Sequence, residues 1–274
     1  MTTMTTMTNM LALDIPGLSA SHYALIYNLF SLVFAAMTFT ALYLLVSRNT
    51  VAPAYRTAVT VSAMVCSIAA YHYFRIFENF RDAYPGGAST GAAHLLSSVR
   101  FNEGYRYVDW LLTVPLLLVE TIAVLALAKS EQKSLLWKLV PAATLMILLG
   151  YPGEVANTNG PRVVWGLAST VPFLYVVYVL FKELGASLER QPADVRHTVS
   201  MLRLAILGLW GVYPIAYLFP VFGGSFFGGE GGFVLRQSGY SIADILAKAA
   251  FGLVIFKIAK AKSAYDDPTL AVAH

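Results

Sequence analysis

Apolar residues along the chain gather in runs too long for an ordinary soluble core helix. They cover roughly 21–46, 55–77, 99–127, 135–152, 161–184, 198–221 and 238–261, with short polar or glycine-bearing stretches between them. About 20 helical residues cross a hydrocarbon core of about 30 Å, so each run can span a bilayer. The pattern predicts an all-α membrane protein, a seven-transmembrane-helix bundle in one domain. A short N-terminal tail over 1–20 leads into the helical domain over 21–262, and a short tail over 263–274 follows. Pro115, Pro172 and Pro214 fall inside spans, where neighbouring helices satisfy the freed carbonyls and the prolines mark bends.

Composition agrees with the bilayer as solvent: 57% of the 274 residues are hydrophobic and 12% charged, and the mean hydropathy is +0.63. The distribution of Lys and Arg sets an expected orientation. With the N-terminus outside, twelve basic residues (Arg48, Arg56, Lys129, Lys133, Lys138, Lys182, Arg190, Arg196, Arg203, Lys257, Lys260 and Lys262) lie at cytoplasmic ends. Five (Arg75, Arg81, Arg100, Arg162 and Arg236) lie outside. That bias predicts an outside N-terminus, a cytoplasmic C-terminus and a multi-pass protein of the cell membrane. The net charge of +4 is spread along one rim without a motif, which argues against nucleic-acid binding.

The single cysteine, Cys66, lies within a span, so neither a disulfide nor a CxxC metal site is expected. The opening MTTMTTMTNM has no basic n-region, so it reads as a polar tail rather than a signal peptide, and no output domain is expected after the last span. The connection RDAYPGGASTGAAHLLSS (81–98) could fold back as a hairpin. The stretch FGGSFFGGEGG (222–232) reads as a flexible turn, because no strand precedes its glycines.

Five ionisable groups cannot reach an interface: Arg106, Asp109 and Glu120 on the third span, Asp244 and Lys248 on the seventh. Such groups are costly in hydrocarbon, face the protein interior and mark ion paths or cofactor sites. One buried ion pair could merely lock two helices together, but five groups on two helices are too many for that. Asp109 and Glu120, eleven residues apart, share a helix face about 16 Å apart along the axis. Arg106 and Thr113 lie on the same stripe as Asp109, and Asp244 and Lys248 are an i,i+4 pair. Lys248 sits among alanines far from either helix end, where it cannot snorkel. Either it loses its proton there or it is consumed as a Schiff base with an aldehyde cofactor. A protonated imine plus Arg106 balances Asp109 and Asp244, and leaves Glu120 neutral among leucines.

These residues resemble a known family. RYVDWLLTVPLLLVE (106–120) and DILAKAAFG (244–252) look like the third and seventh helices of microbial (type 1) rhodopsins. WGLASTVPFLYVVYVLF and LWGVYPIAYLF resemble the fifth and sixth, so the likeness covers essentially the whole chain. NEGYRYVDW, GYPGE and LRQSGYSIADILAK are similar to the proteorhodopsin and xanthorhodopsin-like outward proton pumps.

The resemblance implies a light-driven outward proton pump, a photoreceptor transporter and not an enzyme, with retinal bound on Lys248 as a Schiff base. Asp109 would be primary counterion and proton acceptor, Asp244 the second counterion, and Arg106 their outer electrostatic partner. Thr113 would bond near Asp109, and Glu120 would reprotonate the Schiff base from the cytoplasmic side. His72 matches a histidine that pairs with the counterion in proteorhodopsin-like members, although a lone helix histidine is more often a satisfied core residue. Trp110, Trp210, Tyr213 and Tyr217 match positions that box the polyene, Pro214 gives the bend, and Met146 and Leu117 line the pocket. Leucine at 117 is similar to green-absorbing members.

Gly166 stands where many members carry tryptophan. In xanthorhodopsin-like pumps a glycine there opens a window for a carotenoid antenna, whereas a small residue easing helix contact explains it equally well. The resemblance further implies a trimer or pentamer. Arg236 and Gln237 occupy the region where some members keep a paired-glutamate release group, which leaves Glu103 and Glu230 as the remaining acids there. His22, His94 and His197 carry no assigned role. Two other readings stay open, a photosensor signalling to a separate partner and a seven-helix protein without retinal.

Overall fold

The computed structural model describes residues 15–85, 97–156, 158–189 and 191–266. Seven long helices carry the fold. They are α1 (Ala20–Ser47), α2 (Pro53–Ala83), α3 (Gly104–Ala123), α4 (Lys129–Glu154), α5 (Asn159–Tyr178), α6 (Ala193–Tyr217) and α7 (Gly229–Asp244). Two of them run on through π-helical turns: α5 through Val179–Glu183 into Leu184–Leu188, and α7 through Ile245–Ala250 into Phe251–Asp266.

Local chemistry explains the starts. Ser19 caps α1, its hydroxyl accepting from the His22 backbone N–H at 3.4 Å, and Pro53 opens α2 at a position where a missing N–H is harmless. On α1 the buried positions Tyr23, Ile26, Phe30, Val33, Met37, Ala41 and Leu44 recur every three or four residues. The opposite face is not polar: Leu25, Leu32, Phe39, Leu42 and Val46 point outward. Apolar residues on both faces are what a bilayer demands. Among the described residues five helical stretches are long and apolar enough to cross a membrane, and α3 falls outside that set because Arg106, Asp109 and Glu120 crowd into it.

From α1 to α5 consecutive helices pack as neighbours, and α7 with its continuation returns against α1, α2 and α6 to close the ring. Arg203 of α6 donates to the Leu180 carbonyl of the α5 continuation at 3.3 Å. The third and seventh helices turn their charged side chains into the ring, where Lys248 meets Asp109.

Several boundaries differ from the sequence reading. The apolar run at 99–127 overestimates α3, because residues 99–102 are not helical and Ala126 turns with φ 48°. The stretch 222–232 is mostly helical: Phe219–Phe222 and Gly224–Phe227 form short helices, and Gly229 already begins α7. Its glycines still serve as breaks, with Gly223 and Gly229 at positive φ. The helix after Lys248 extends to Asp266, so residues 263–266 are helical. Residues 86–96, which include most of the expected hairpin and His94, lie outside the described residues, as do 1–14 and 267–274 of the two tails.

Candidate functional site

Lys248 is held at the centre of the bundle by the π-helical turn Ile245–Ala250, and its side chain is 1% exposed. A π turn adds a residue to the helical repeat and is common where a side chain must be re-aimed. The Lys248 ammonium donates to Asp109 on α3 and to Asp244 Oδ1, one turn earlier on α7, at 2.9 Å. The two aspartates differ sharply in company. Asp244 also accepts from the hydroxyls of Tyr73 (2.7 Å) and Tyr213 (2.7 Å) and from the Trp110 indole N–H (3.2 Å). Asp109 Oδ1 has no hydrogen-bond donor, and His72 Nδ1 lies 3.7 Å from it. His72 Nδ1 lies 2.9 Å from the Ile68 carbonyl of its own helix.

Thr113 donates to the main-chain carbonyl of Asp109 at 2.8 Å and so steadies the backbone rather than the carboxylate. Arg106 acts on Asp244 through its charge, without direct contact. Its direct partners are Gln237 Oε1 (2.5 Å) and Glu103 Oε2 (3.3 Å), and it forms no ion pair with Asp109 or Asp244 among the described residues. Its guanidinium lies 5.4 Å over Phe30 and 5.5 Å over Tyr240, a stacked arrangement that accommodates a buried cation.

Beside Lys248 opens an apolar cavity walled by side chains of α3, α4, α5, α6 and α7. Lys248, Trp110, Trp210, Tyr213, Pro214, Tyr217, Met146, Leu117 and Gly166 all line it. The structure therefore brings together every side chain that the sequence reading placed around a cofactor. Tyr107, Phe173, Ser169, Thr170 and Tyr240 join the wall without having been singled out. The wall's hydroxyls are largely spent: Ser169 donates to the Met146 carbonyl at 2.8 Å, Thr170 to Gly166 at 2.8 Å and Tyr217 to Arg162 at 2.7 Å. What remains is a greasy sleeve with one amine at its end, which fits an elongated apolar aldehyde such as retinal.

Glu120 stands apart from this cluster, further along α3 toward the end of the bundle that holds Lys262. It is fully buried, and neither carboxyl oxygen has a hydrogen-bond partner. Ser62 of α2, close to it, donates to the Ala58 carbonyl at 3.2 Å.

At the other end, toward the start of α1, a second polar cluster surrounds Arg106. Glu103 Oε1 accepts from Arg236 (2.9 Å) and Gln237 (2.7 Å), and Glu154 Oε1 lies 3.6 Å from Arg236 Nη1. Sequence reasoning gave Glu154 and Arg162 no role, and Tyr73 none either. Tyr73 sits next to His72, and the packing of α2 against α7 brings its hydroxyl to Asp244. Glu154 offered only its place at the end of an apolar run.

Known proteins share this arrangement of helices. Residues 24–262 match the sequence profile described as bacteriorhodopsin-like protein. The green-light absorbing proteorhodopsin of Gamma-proteobacterium EBAC31A08 is 31% identical over 240 residues, covering 85% of this chain and 86% of that one. The solved structure of xanthorhodopsin, a light-driven ion pump with dual chromophore, is similar with a TM-score of 0.85 and 45% identity, covering 92% of this chain and 98% of that one. A thermophilic rhodopsin is similar with a TM-score of 0.87 and 42% identity, covering 92% and 99%. The chain belongs to the bacteriorhodopsin-like family of seven-helix, multi-pass membrane proteins.

Proposed function

We propose that this protein is a light-driven outward proton pump that uses retinal bound on Lys248. Retinal supplies absorption of visible light and a change of shape that redirects the Lys248 nitrogen and its proton. The chain's own residues make the transfer directional. The single observation that carries the reading is the contrast between the two aspartates beside Lys248. Asp244 is saturated by Tyr73, Tyr213 and Trp110 and stays an ionised counterion, whereas Asp109 keeps an oxygen free of donors and is the group able to accept a proton. His72, 3.7 Å from that oxygen, is placed to influence the acceptance.

On the other side of Lys248, Glu120 is the donor. An ionised carboxylate without a partner is prohibitively expensive in such surroundings, so Glu120 rests as the neutral acid and holds the proton that is returned to Nζ. Two carboxyl groups on opposite sides of one nitrogen, in unequal environments, give a direction to the traffic. With the N-terminus outside, as the basic-residue asymmetry favours, Asp109 faces outward and Glu120 inward.

The carotenoid reading attaches to Gly166. It lines the cavity where α5 meets the lipid, between Trp165 (37% exposed) and Leu167 (66% exposed). An elongated apolar carotenoid lying on that face would come near the cavity wall, and the similarity to a dual-chromophore pump supports this reading. Assembly as a trimer or pentamer and placement in the cell membrane complete the proposal.

Illuminating an unbuffered suspension of cells that express the chain with added retinal tests the reading. External pH falls, and a protonophore abolishes the fall. A coloured pigment with a flat pH trace would leave a photosensor as the better account.

A further inference from the structure

The buried polar cluster around Arg236 contains two carboxylates in unequal circumstances, and the proposed pump gives that inequality a use. Glu103 is fully committed. Its Oε1 accepts from Arg236 Nη2 (2.9 Å) and Gln237 Nε2 (2.7 Å), and its Oε2 accepts from Arg106 Nη1 (3.3 Å). Glu154, at the end of α4, is 2% exposed, yet neither of its oxygens accepts a hydrogen bond. Among the described residues its ion pair is with Arg236, Nη1 lying 3.6 Å from Oε1. Arg162 spends Nη2 on the carbonyl of Glu154 rather than on its carboxylate, and its Nη1 stays unpartnered. A buried polar atom without a partner calls for an explanation.

Both carboxylates, Arg162 and Arg236 line one cavity, which reaches Gly228 and Gly229 at the start of α7. The charged and titratable groups facing Glu154 are Arg236 and Tyr240 from α7, Glu103 and its neighbours Arg106 and Tyr107 from α3, Arg162 from α5 and Tyr217 from α6. With Glu103 and Glu154 both ionised, the two carboxylates face three guanidiniums, those of Arg106, Arg162 and Arg236. An extra proton makes this already positive cluster more positive, which favours passing that proton on. Protonating Glu103 would strip an acceptor from Arg236 and Arg106, whereas protonating Glu154 loosens one long contact.

We infer that Glu154 is the outward proton station of this pump: it binds the proton that leaves Asp109 and hands it to the cavity at the start of α7. The inference rests on the outward-pump reading. Asp109 gives up its proton and returns to a carboxylate. A Glu154 oxygen gains a proton and then yields it to water in the cavity, and no electrons change hands. Glu103 is a positioning residue that keeps Arg236 and Gln237 in place.

The test is a single flash on purified pigment in a weakly buffered solution containing a pH-sensitive dye, with infrared difference spectra recorded in parallel. In E154Q, proton appearance in the medium slows about a hundredfold, the low end of what a positioned proton-transfer group contributes. A transient carboxylic-acid C=O band present in the wild type also disappears. In E154D both signals return, the band at a shifted frequency, and E154D alone carries the test if E154Q forms no pigment. E103Q keeps the band. Release from E154Q at the wild-type rate, or loss of the band in E103Q instead, overturns the inference. If the wild type itself releases no proton in continuous light, the pump reading fails first. If it does and E154Q matches it, only this inference fails.

Discussion

The Tyr73 hydroxyl donates to Asp244 Oδ2 at 2.7 Å, from a helix 171 positions earlier in the chain. That bond makes one of two otherwise similar aspartates into a fixed charge. Tyr213 and Trp110 reinforce it from α6 and α3, so three helices converge on one carboxylate. Asp109 receives the same lysine but no comparable support, and its free oxygen leaves it able to change state.

Replacing Tyr73 by Phe tests this contrast. Asp244 Oδ2 loses the Tyr73 donor in a dry interior, and an unsatisfied buried acceptor costs about 1–3 kcal/mol, more when charged. Y73F is expected to form pigment but to bleach thermally at a lower temperature than the wild type. An unchanged bleaching profile would mean that the bond contributes nothing.

Lys248→Ala removes the amine and is expected to abolish the visible band while the chain still inserts. It also leaves Asp109 and Asp244 facing each other without their shared cation, so the variant should be markedly less stable. Adding D109N to K248A relieves the repulsion and should recover part of that stability, read as resistance to detergent-induced unfolding.

Gly166→Trp probes the α5 side of the cavity. Even a Cβ there would come within 2.9 Å of Tyr217 Cε1, so the indole must either displace that ring or turn toward the lipid. Adding a hydroxylated carotenoid to the wild type is expected to put carotenoid bands into the excitation spectrum of the retinal. G166W should lose them while its own pigment still forms. Identical spectra from both proteins would leave Gly166 as a packing residue.

At the start of α1, Glu230 Oε1 accepts from the Ser19 backbone N–H at 2.5 Å and lies 2.7 Å from His22 Nδ1. Burial opposes ionisation of Glu230, but the Ser19 hydrogen bonds and His22 outweigh it and hold the carboxyl below the usual glutamate value. A depressed acid contributes stability that is complete above its unfolded value, about 4.3, and is lost as pH falls through its folded value. The melting temperature of the wild type should therefore exceed that of E230Q near neutrality, and the gap should close in the acid range below about pH 4. A gap that persists at low pH would contradict the assignment.

How much of this was visible beforehand follows from the chemistry of each residue. Lys248, Asp109, Glu120 and Asp244 were legible because a charge deep in an apolar run has no ordinary use. The seven helices were legible because hydrocarbon thickness fixes their length. The cofactor wall came from resemblance, since Trp210 or Met146 alone is indistinguishable from core filling. Tyr73 stayed hidden because a tyrosine in a membrane helix gives no sign of where its hydroxyl points, and only the packing of α2 against α7 settles it. The resemblance gave Arg106 the aspartates as electrostatic partners. The structure gives Arg106 to Gln237 and Glu103, because the amide and the nearer carboxylate reach it first. The π-helical turn at Lys248 leaves no mark in the sequence, because it depends on side-chain packing across helices rather than on local propensity.

The central claim is that two carboxyl groups on opposite sides of Lys248 set the direction of transport. The most direct measurement compares the initial rate of light-driven external acidification for wild type, D109N and E120Q at matched pigment content. The account predicts a clear fall in external pH for the wild type and none for D109N. It predicts a rate lowered by about a hundredfold for E120Q, with recovery when a small permeant acid is added. Outward pumping by D109N at the wild-type rate, or an E120Q rate equal to the wild type, would contradict it.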